Sequence, residues 1–134
     1  MATYTKFQQF VEDLAHGVHD LETDAITVAL SNTAPSASDD AVLTDITTVS
    51  TANLDDITPT ISSSGQTSGT YKLVLADLTM TASGAVGPFQ YVIIYNDTAA
   101  NDPLICYSDY GSEVTLAKDD TFKLDFGTEL FSLA

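Results

Sequence analysis

Several residues in this sequence are of types that do chemistry, and their spacing decides what they could do. His16 and His19, in His16-Gly17-Val18-His19-Asp20, could be read as metal ligands. Zinc takes three or four ligands, whereas the chain offers two histidines and one cysteine, and Gly17 breaks the helix that would hold the spacing. A helix end followed by a loop is the expected reading. Cys106 could be a nucleophile if a base or a positive field activated it. Its neighbours are Ile105 and Tyr107 in a cation-poor chain, so a buried strand cysteine is expected. The pairs Asp39-Asp40, Asp55-Asp56 and Asp119-Asp120, with Asp97 and Asp102, could attract Ca²⁺. None follows the alternating acidic loop with a central Gly and a closing Glu, so they read as solvated turn carboxylates, with weak cation binding left open. Gly65-Gln66-Thr67-Ser68-Gly69-Thr70 has the outline of a phosphate loop but lacks its Lys and leads into a strand. No Gly-x-Ser-x-Gly elbow occurs. No catalytic, cofactor-binding or metal-ligating residue is therefore expected, and the chain does not read as an enzyme.

The elements that would position any site are organised around Gly87 to Asp97. This stretch holds the longest apolar run in the chain. Pro88 suits a strand start because it cannot donate a ladder hydrogen bond, and Asn96-Asp97 is turn chemistry. Phe89, Tyr91, Ile93 and Tyr95 alternate with Gln90, Val92 and Ile94. Both faces are apolar, so the strand needs cover on both sides. Before it, Thr5 to His16 reads as a helix capped by Thr5, with Phe7, Phe10, Val11 and Leu14 on one stripe and Gly17 as its C′ stop. Ala25 to Leu30 reads as the first strand, with Ile26, Val28 and Leu30 inward. Thr70 to Ala82 reads as one long strand whose apolar parity flips near Ala76-Asp77, as a β-bulge would cause. Leu104 to Tyr107 is a short strand beside the central one. Asp109 to Ser112 is a turn, Val114 and Leu116 mark a further strand, and Thr121 to Phe126 alternates with Phe122, Leu124 and Phe126 inward.

Residues 31–70 are different material: seventeen of the forty are Ser or Thr, and none is Lys, Arg or aromatic. They read as a long loop with a helical turn near Val42 to Ile46, as an arm that orders against a partner, or as two weak Thr-rich edge strands. At 134 residues a single domain is expected: residues 1–24 as helix and connection, 31–70 as the loop or arm, and 71–134 as the main β core. Nine of the twelve aromatics lie from Tyr71 onward, which places the core there. The fold class expected is mainly β: an antiparallel β-sandwich, jelly-roll-like, with one N-terminal helix.

Nineteen acidic residues face four Lys and no Arg, a net charge of −15. That argues against nucleic acid and anionic membrane as partners, since both are bound by cations. A lone cysteine allows no internal disulfide. The absence of a leader or a bilayer-length apolar run points to synthesis in the cytoplasm.

Several segments, in order, resemble a family of small structural proteins from tailed bacteriophages and prophages. They are Lys6-Phe7, Phe10-Val11-Glu12-Asp13-Leu14-Ala15, Gly17-Val18-His19-Asp20-Leu21 and Val28 through Pro35. They continue with Gln66 through Leu73, Gly87-Pro88-Phe89, Tyr91, Tyr95-Asn96-Asp97-Thr98, Pro103-Leu104-Ile105, Asp109-Tyr110-Gly111 and Asp120-Thr121-Phe122. Residues 36–64 match least. The resemblance implies a head-decoration, or capsid cement, protein of the virion exterior, made in the host cytoplasm, whose partner is the major capsid protein. A homo-oligomer is expected, and a trimer would match the three-fold positions of a capsid. Interface candidates are Phe7, Phe10, Phe89, Tyr91, Tyr95, Tyr107 and Tyr110. The alternatives are a tail or head–tail adaptor component, and a carbohydrate-binding sandwich with Tyr91, Tyr95, Tyr107 and Tyr110 as a stacking platform.

Overall fold

A computed structural model describes residues 3–134. In chain order its elements are β1 (Thr5–Lys6), α1 (Gln8–Ala15), β2 (Ile26–Ser31), a 3-10 turn (Leu43–Asp45), β3 (Thr48–Val49), β4 (Ile61–Thr67) and β5 (Thr70–Leu75). They continue with β6 (Leu78–Thr81), β7 (Val86–Asn96), β8 (Leu104–Leu116), β9 (Thr121–Leu124) and β10 (Phe131–Leu133). The chain is mainly β, and every strand pairing is antiparallel, consistent with a β-sandwich. One sheet has the order β1-β8-β7-β2-β3, a second β10-β5-β4, and a third β6-β9.

The central strand of the largest sheet is β7, the stretch that is apolar on both faces. Val92, Ile93, Ile94, Tyr95 and Asn96 are all buried, so neither parity faces solvent. Phe89 meets Phe122 of β9, with ring centroids 5.2 Å apart at 79°, an edge-to-face geometry that aromatic quadrupoles favour. Within the sheet Ile93 pairs with Ala29 and Tyr107, and Tyr95 with Thr27, and the Tyr107 ring packs on Phe7 with centroids 5.2 Å apart. Each fully buried Phe, Ile or Leu is worth ~2–3 kcal/mol of transfer free energy, and Phe89, Ile93 and Ile94 of this strand are fully buried.

The residues 36–47 are fastened beside this sheet. Gln8 N donates to Ala37 O, Leu43 N to Asp102 O and Leu104 N to Ala41 O, and Ser31 Oγ donates to Thr47 O at 2.7 Å. Ile46 is buried and Leu43 half-buried against the core. The 31–70 region thus holds a 3-10 turn and two strands, β3 and β4, each at a sheet edge.

Several sequence expectations are corrected. The helix does not start at Thr5: Thr5 and Lys6 pair with Tyr107 and Cys106 as β1, Phe7 N donates to Ile105 O at 3.1 Å, and Phe7 itself is the N-cap with no side-chain bond. A strand partner far along the chain outcompetes the local cap. Gly17 does end the helix, with φ +74. Val18 N reaches Asp13 O and Gly17 N reaches Leu14 O, the paired bonds of a Schellman motif. Val11, expected inward, is exposed, whereas Phe7 and Phe10 are buried. Thr70–Ala82 is not one bulged strand but two strands, β5 and β6, in different sheets. At the break Ala76 N donates to Thr60 O and Asp77 Oδ1 accepts from Phe126 N. Asp109–Ser112 is not a turn between strands but an irregularity within β8, which pairs with β7 on both sides of it. Gly111, at φ +93, and the Asp109 Oδ1 bond to its N–H at 2.7 Å allow the excursion.

At the start of β7 a Cβ on Gly87 would stand 2.6 Å from the Val114 carbonyl oxygen, at a φ of +107. Both the steric clash and the φ require glycine. Gly87→Ala is expected to lower unfolding free energy by about 2 kcal/mol, read as a lower urea midpoint at unchanged slope.

Candidate functional site

Asn96 closes β7 with a fully buried side chain. Its Oδ1 accepts from Thr98 N at 2.9 Å and Ala99 N at 3.1 Å. That fixes the amide, so Nδ2 donates to Asp24 Oδ2 at 2.7 Å and faces His19 Nδ1 at 3.0 Å. With Nδ2 as donor, His19 Nδ1 must accept, which places the proton of the neutral ring on Nε2. Nε2 is buried with no hydrogen-bond partner among the described residues. The ring also packs edge-on to Phe10, with centroids 5.1 Å apart. Burial lowers the His19 pKa, and Asp13 and Asp24 partly oppose it. The cluster joins α1, the connection after it, the start of β2 and the end of β7, so its geometry is that of a clamp.

Beside it runs an open cleft of about 430 Å³ lined by Leu14, His19, Glu22, Ser64, Tyr71 and Leu133 among others. Ser64 Oγ and Tyr71 OH are bonded to each other at 2.8 Å.

The other residues singled out by type are placed as follows. His16 lies exposed at the end of α1, 3.8 Å from Glu12, and does not meet His19 in a shared site. Among the described residues no three His, Cys, Asp or Glu side chains gather as a metal site. Cys106 is buried on β8, and burial pushes its thiol far above the ordinary range, which withholds the thiolate nucleophile. The carboxylates fasten loops. Asp40 accepts from Ser36 N, Asp45 from Ala41 N and Val42 N, Asp55 from Thr81 N, Asp56 from Thr58 N, and Asp120 from Ala117 N. The Ala41 and Val42 bonds hold Asp45 below the usual carboxylate range. Thr23 and Glu22 do the same for Asp20, and Gly127 for Asp125. Gly65 to Thr70 forms the β4–β5 hairpin and its two-residue turn.

Of the interface candidates, Phe7, Phe10, Phe89 and Tyr95 are buried in the chain's own core, Tyr91 and Tyr107 are half-buried, and Tyr110 is 58% exposed. Burial raises the pKa of Tyr95, and Asp97 and Asp102 add to the rise. Two surface features went unmarked in the sequence. The first is an apolar hollow of about 280 Å³ between α1 and β10, lined by Lys6, Phe10, Val11, Leu14, Ala15 and Leu133. The apolar stripe on α1 was its signal, because Val11 lies at the stripe's outer margin. The second is a cleft of about 410 Å³ beside Tyr110, which also includes Tyr4, Asp109, Phe122, Lys123 and Asp125. No helix among the described residues is long and apolar enough to cross a membrane.

Comparisons with protein-family models, with curated proteins and with solved structures return no match to this chain.

Removing the clamp has two expected consequences. Asn96→Ala leaves the Thr98 and Ala99 amides without their acceptor and takes from Asp24 one of two donors, Asp20 N being the other, and should cost about 3 kcal/mol, measured by chemical denaturation. His19 has a folded-state pKa below its ordinary 6.5, so the unfolded chain binds its proton first as pH falls. Its contribution is complete above pH 6.5 and is lost as pH drops from there toward the folded value. The stability of the wild type should fall as pH drops below 6.5, and His19→Gln should flatten the slope there.

Proposed function

We propose that this chain is an adhesive structural protein: a capsid decoration protein that binds the outer surface of an icosahedral phage head and ties neighbouring major capsid proteins together. The observation that carries the reading is the apolar hollow between α1 and β10, where Val11 is 57% exposed and Leu133 39% exposed. Val18, just past the helix, is exposed as well. Apolar side chains held outward on a well-covered core are the surface of a protein that docks.

The jelly-roll-like form of the sandwich belongs to this reading, as does a cyclic trimer seated at the three-fold positions of the shell. The contact between sister copies falls to Tyr91, Tyr107 and Tyr110, since Phe89 and Tyr95 are spent on the core. A charge of −15 suits the outside of a DNA-filled head, because packaged DNA repels it from the lumen. Binding only the assembled shell stabilises that shell by mass action.

Purified protein mixed with empty, expanded heads is expected to co-sediment with them, and Val11→Asp to reduce the bound fraction at least tenfold while leaving the melting temperature in place. Failure of the wild type to sediment with heads would overturn the proposal. Discrete trimers in electron micrographs fit cement, while stacked rings or tubes would shift the reading to a tail or adaptor component.

A second reading has one observation in its favour. The exposed Tyr110 ring leans on Phe122, with centroids 5.2 Å apart, in a cleft with Asp109, Lys123 and Asp125. An aromatic face ringed by polar groups suits a sugar, and a glycan array without hits would remove this reading.

A further inference from the structure

Most sheet edges in this protein are blunted by one of the devices that keep strands from pairing with foreign chains. Strands β1 and β3 have two residues each and β10 three. The edge of β6 is covered: Asp55 Oδ1 accepts from Thr81 N, Asp55 N donates to Thr81 O, and Leu54 bridges to Ala82. Strand β9 carries Lys123 and is flanked by Asp119, Asp120 and Asp125.

Strand β8, beyond its two-residue pairing with β1, carries Asp109 and Glu113, whereas strand β4 has no such device. It is seven residues long, Ile61–Thr67, lies at the edge of its sheet, and contains neither charge nor proline. Its one irregularity lies between Ile61 and Ser63, which leaves residues 63–67 straight. The direction of its free hydrogen-bonding groups follows from the hairpin. Thr67 pairs with Thr70 across the two-residue turn Ser68-Gly69, with φ values of 52 and 84. The residues flanking such a turn exchange both ladder bonds, and the pairs alternate from there. Thr67 and Gly65 therefore point their backbone groups at β5, and Gln66 and Ser64 point theirs away from it. Nothing in the described chain answers those two sets of N–H and C=O groups.

Charge selects the occupant. No acidic residue lies between Asp56 and Asp77, although the chain carries nineteen. The β4–β5 hairpin is thus a surface stretch on which a second copy, itself at −15, can approach without meeting carboxylates on the approaching strand. An edge also complements itself across a two-fold axis without any second surface.

We propose that β4 is a homotypic docking edge. Two copies join antiparallel, β4 to β4, with Ser64 of one exchanging backbone bonds with Gln66 of the other, and the two three-stranded sheets become one continuous sheet. The contact is independent of shell binding. It cannot close a trimer, so it adds even-numbered species to any three-fold assembly. Asp20 and Glu22 share a cleft with Ser64 on the inner side of the hairpin, so salt that screens them strengthens the pairing.

Native mass spectrometry and sedimentation of the full chain over a concentration series test the edge. The expected result is a twofold rise in mass with concentration, or a hexamer where trimers also form, and a larger dimer fraction at higher salt. Ser63→Glu places a carboxylate on the exposed flank of the strand, facing a copy at −15, and should halve the mass with an unchanged circular dichroism spectrum. A wild type that stays monomeric or purely trimeric at every concentration overturns the proposal and leaves the edge to a strand from a different protein. So does a Ser63→Glu variant that keeps the doubled mass. Should that variant fail to fold, hydrogen exchange on the wild type decides: Ser64 and Gln66 amides that slow as concentration rises support the pairing, and concentration-independent exchange contradicts it. Loss of head binding with an intact dimer would sink the cement reading alone.

Discussion

The structure depends on burying one strand from both sides. Val92 to Asn96 have no solvent-facing parity, so neither face of β7 can be left to water, and the rest of the chain is arranged as its cover. On the Phe89 side, β9 supplies Phe122. Residues 36–47 are tied down at Gln8, Asp102, Leu104 and Ser31, with Ile46 buried in the core. A Ser/Thr-rich segment can serve there because its backbone donors find partners within the chain, which spares it the cost of burying unpaired polar groups.

The heavy negative charge is reconciled with a compact fold by what the carboxylates do. Many are acceptors for loop N–H groups within a few residues of themselves, as at Asp40, Asp45, Asp56 and Asp120. Their charge stays at the surface, where water screens it, while each carboxylate fixes a turn. The polar cluster of His19 with Asn96 and Asp24 joins elements more than seventy residues apart. Because His19 Nδ1 accepts from Asn96 and burial lowers the ring's pKa, protonation at Nδ1 breaks that bond, and acid loosens the junction there.

Much of the β core was legible because its signals are local. The two-faced apolar run gave β7, strict alternation gave Phe122, Leu124 and Phe126 inward, and Gly17 marked the helix end. What stayed hidden was set by distant partners. A parity flip at Ala76-Asp77 fits a bulge or a change of sheet equally well, and only the bonds to Thr60 and Phe126 decide. Asp109-Tyr110-Gly111 carries the same chemistry whether it turns the chain or bulges it. The aromatic candidates posed the hardest case: burial within a chain and burial between chains select the same residue types, so Phe7, Phe10, Phe89 and Tyr95 could not be told from Tyr110. The Asn96 clamp left only a faint mark, a polar residue closing an apolar strand.

Amide hydrogen exchange on the isolated chain tests the central claim most directly. If β7 is sheathed by its own fold, the amides of Val92 to Tyr95 exchange last, by global unfolding, while those of Ser64 and Gln66 in dilute protein exchange early. Exchange of Val92 to Tyr95 as fast as that of the exposed β4 edge would mean that the strand is uncovered until a partner arrives, and would contradict the claim.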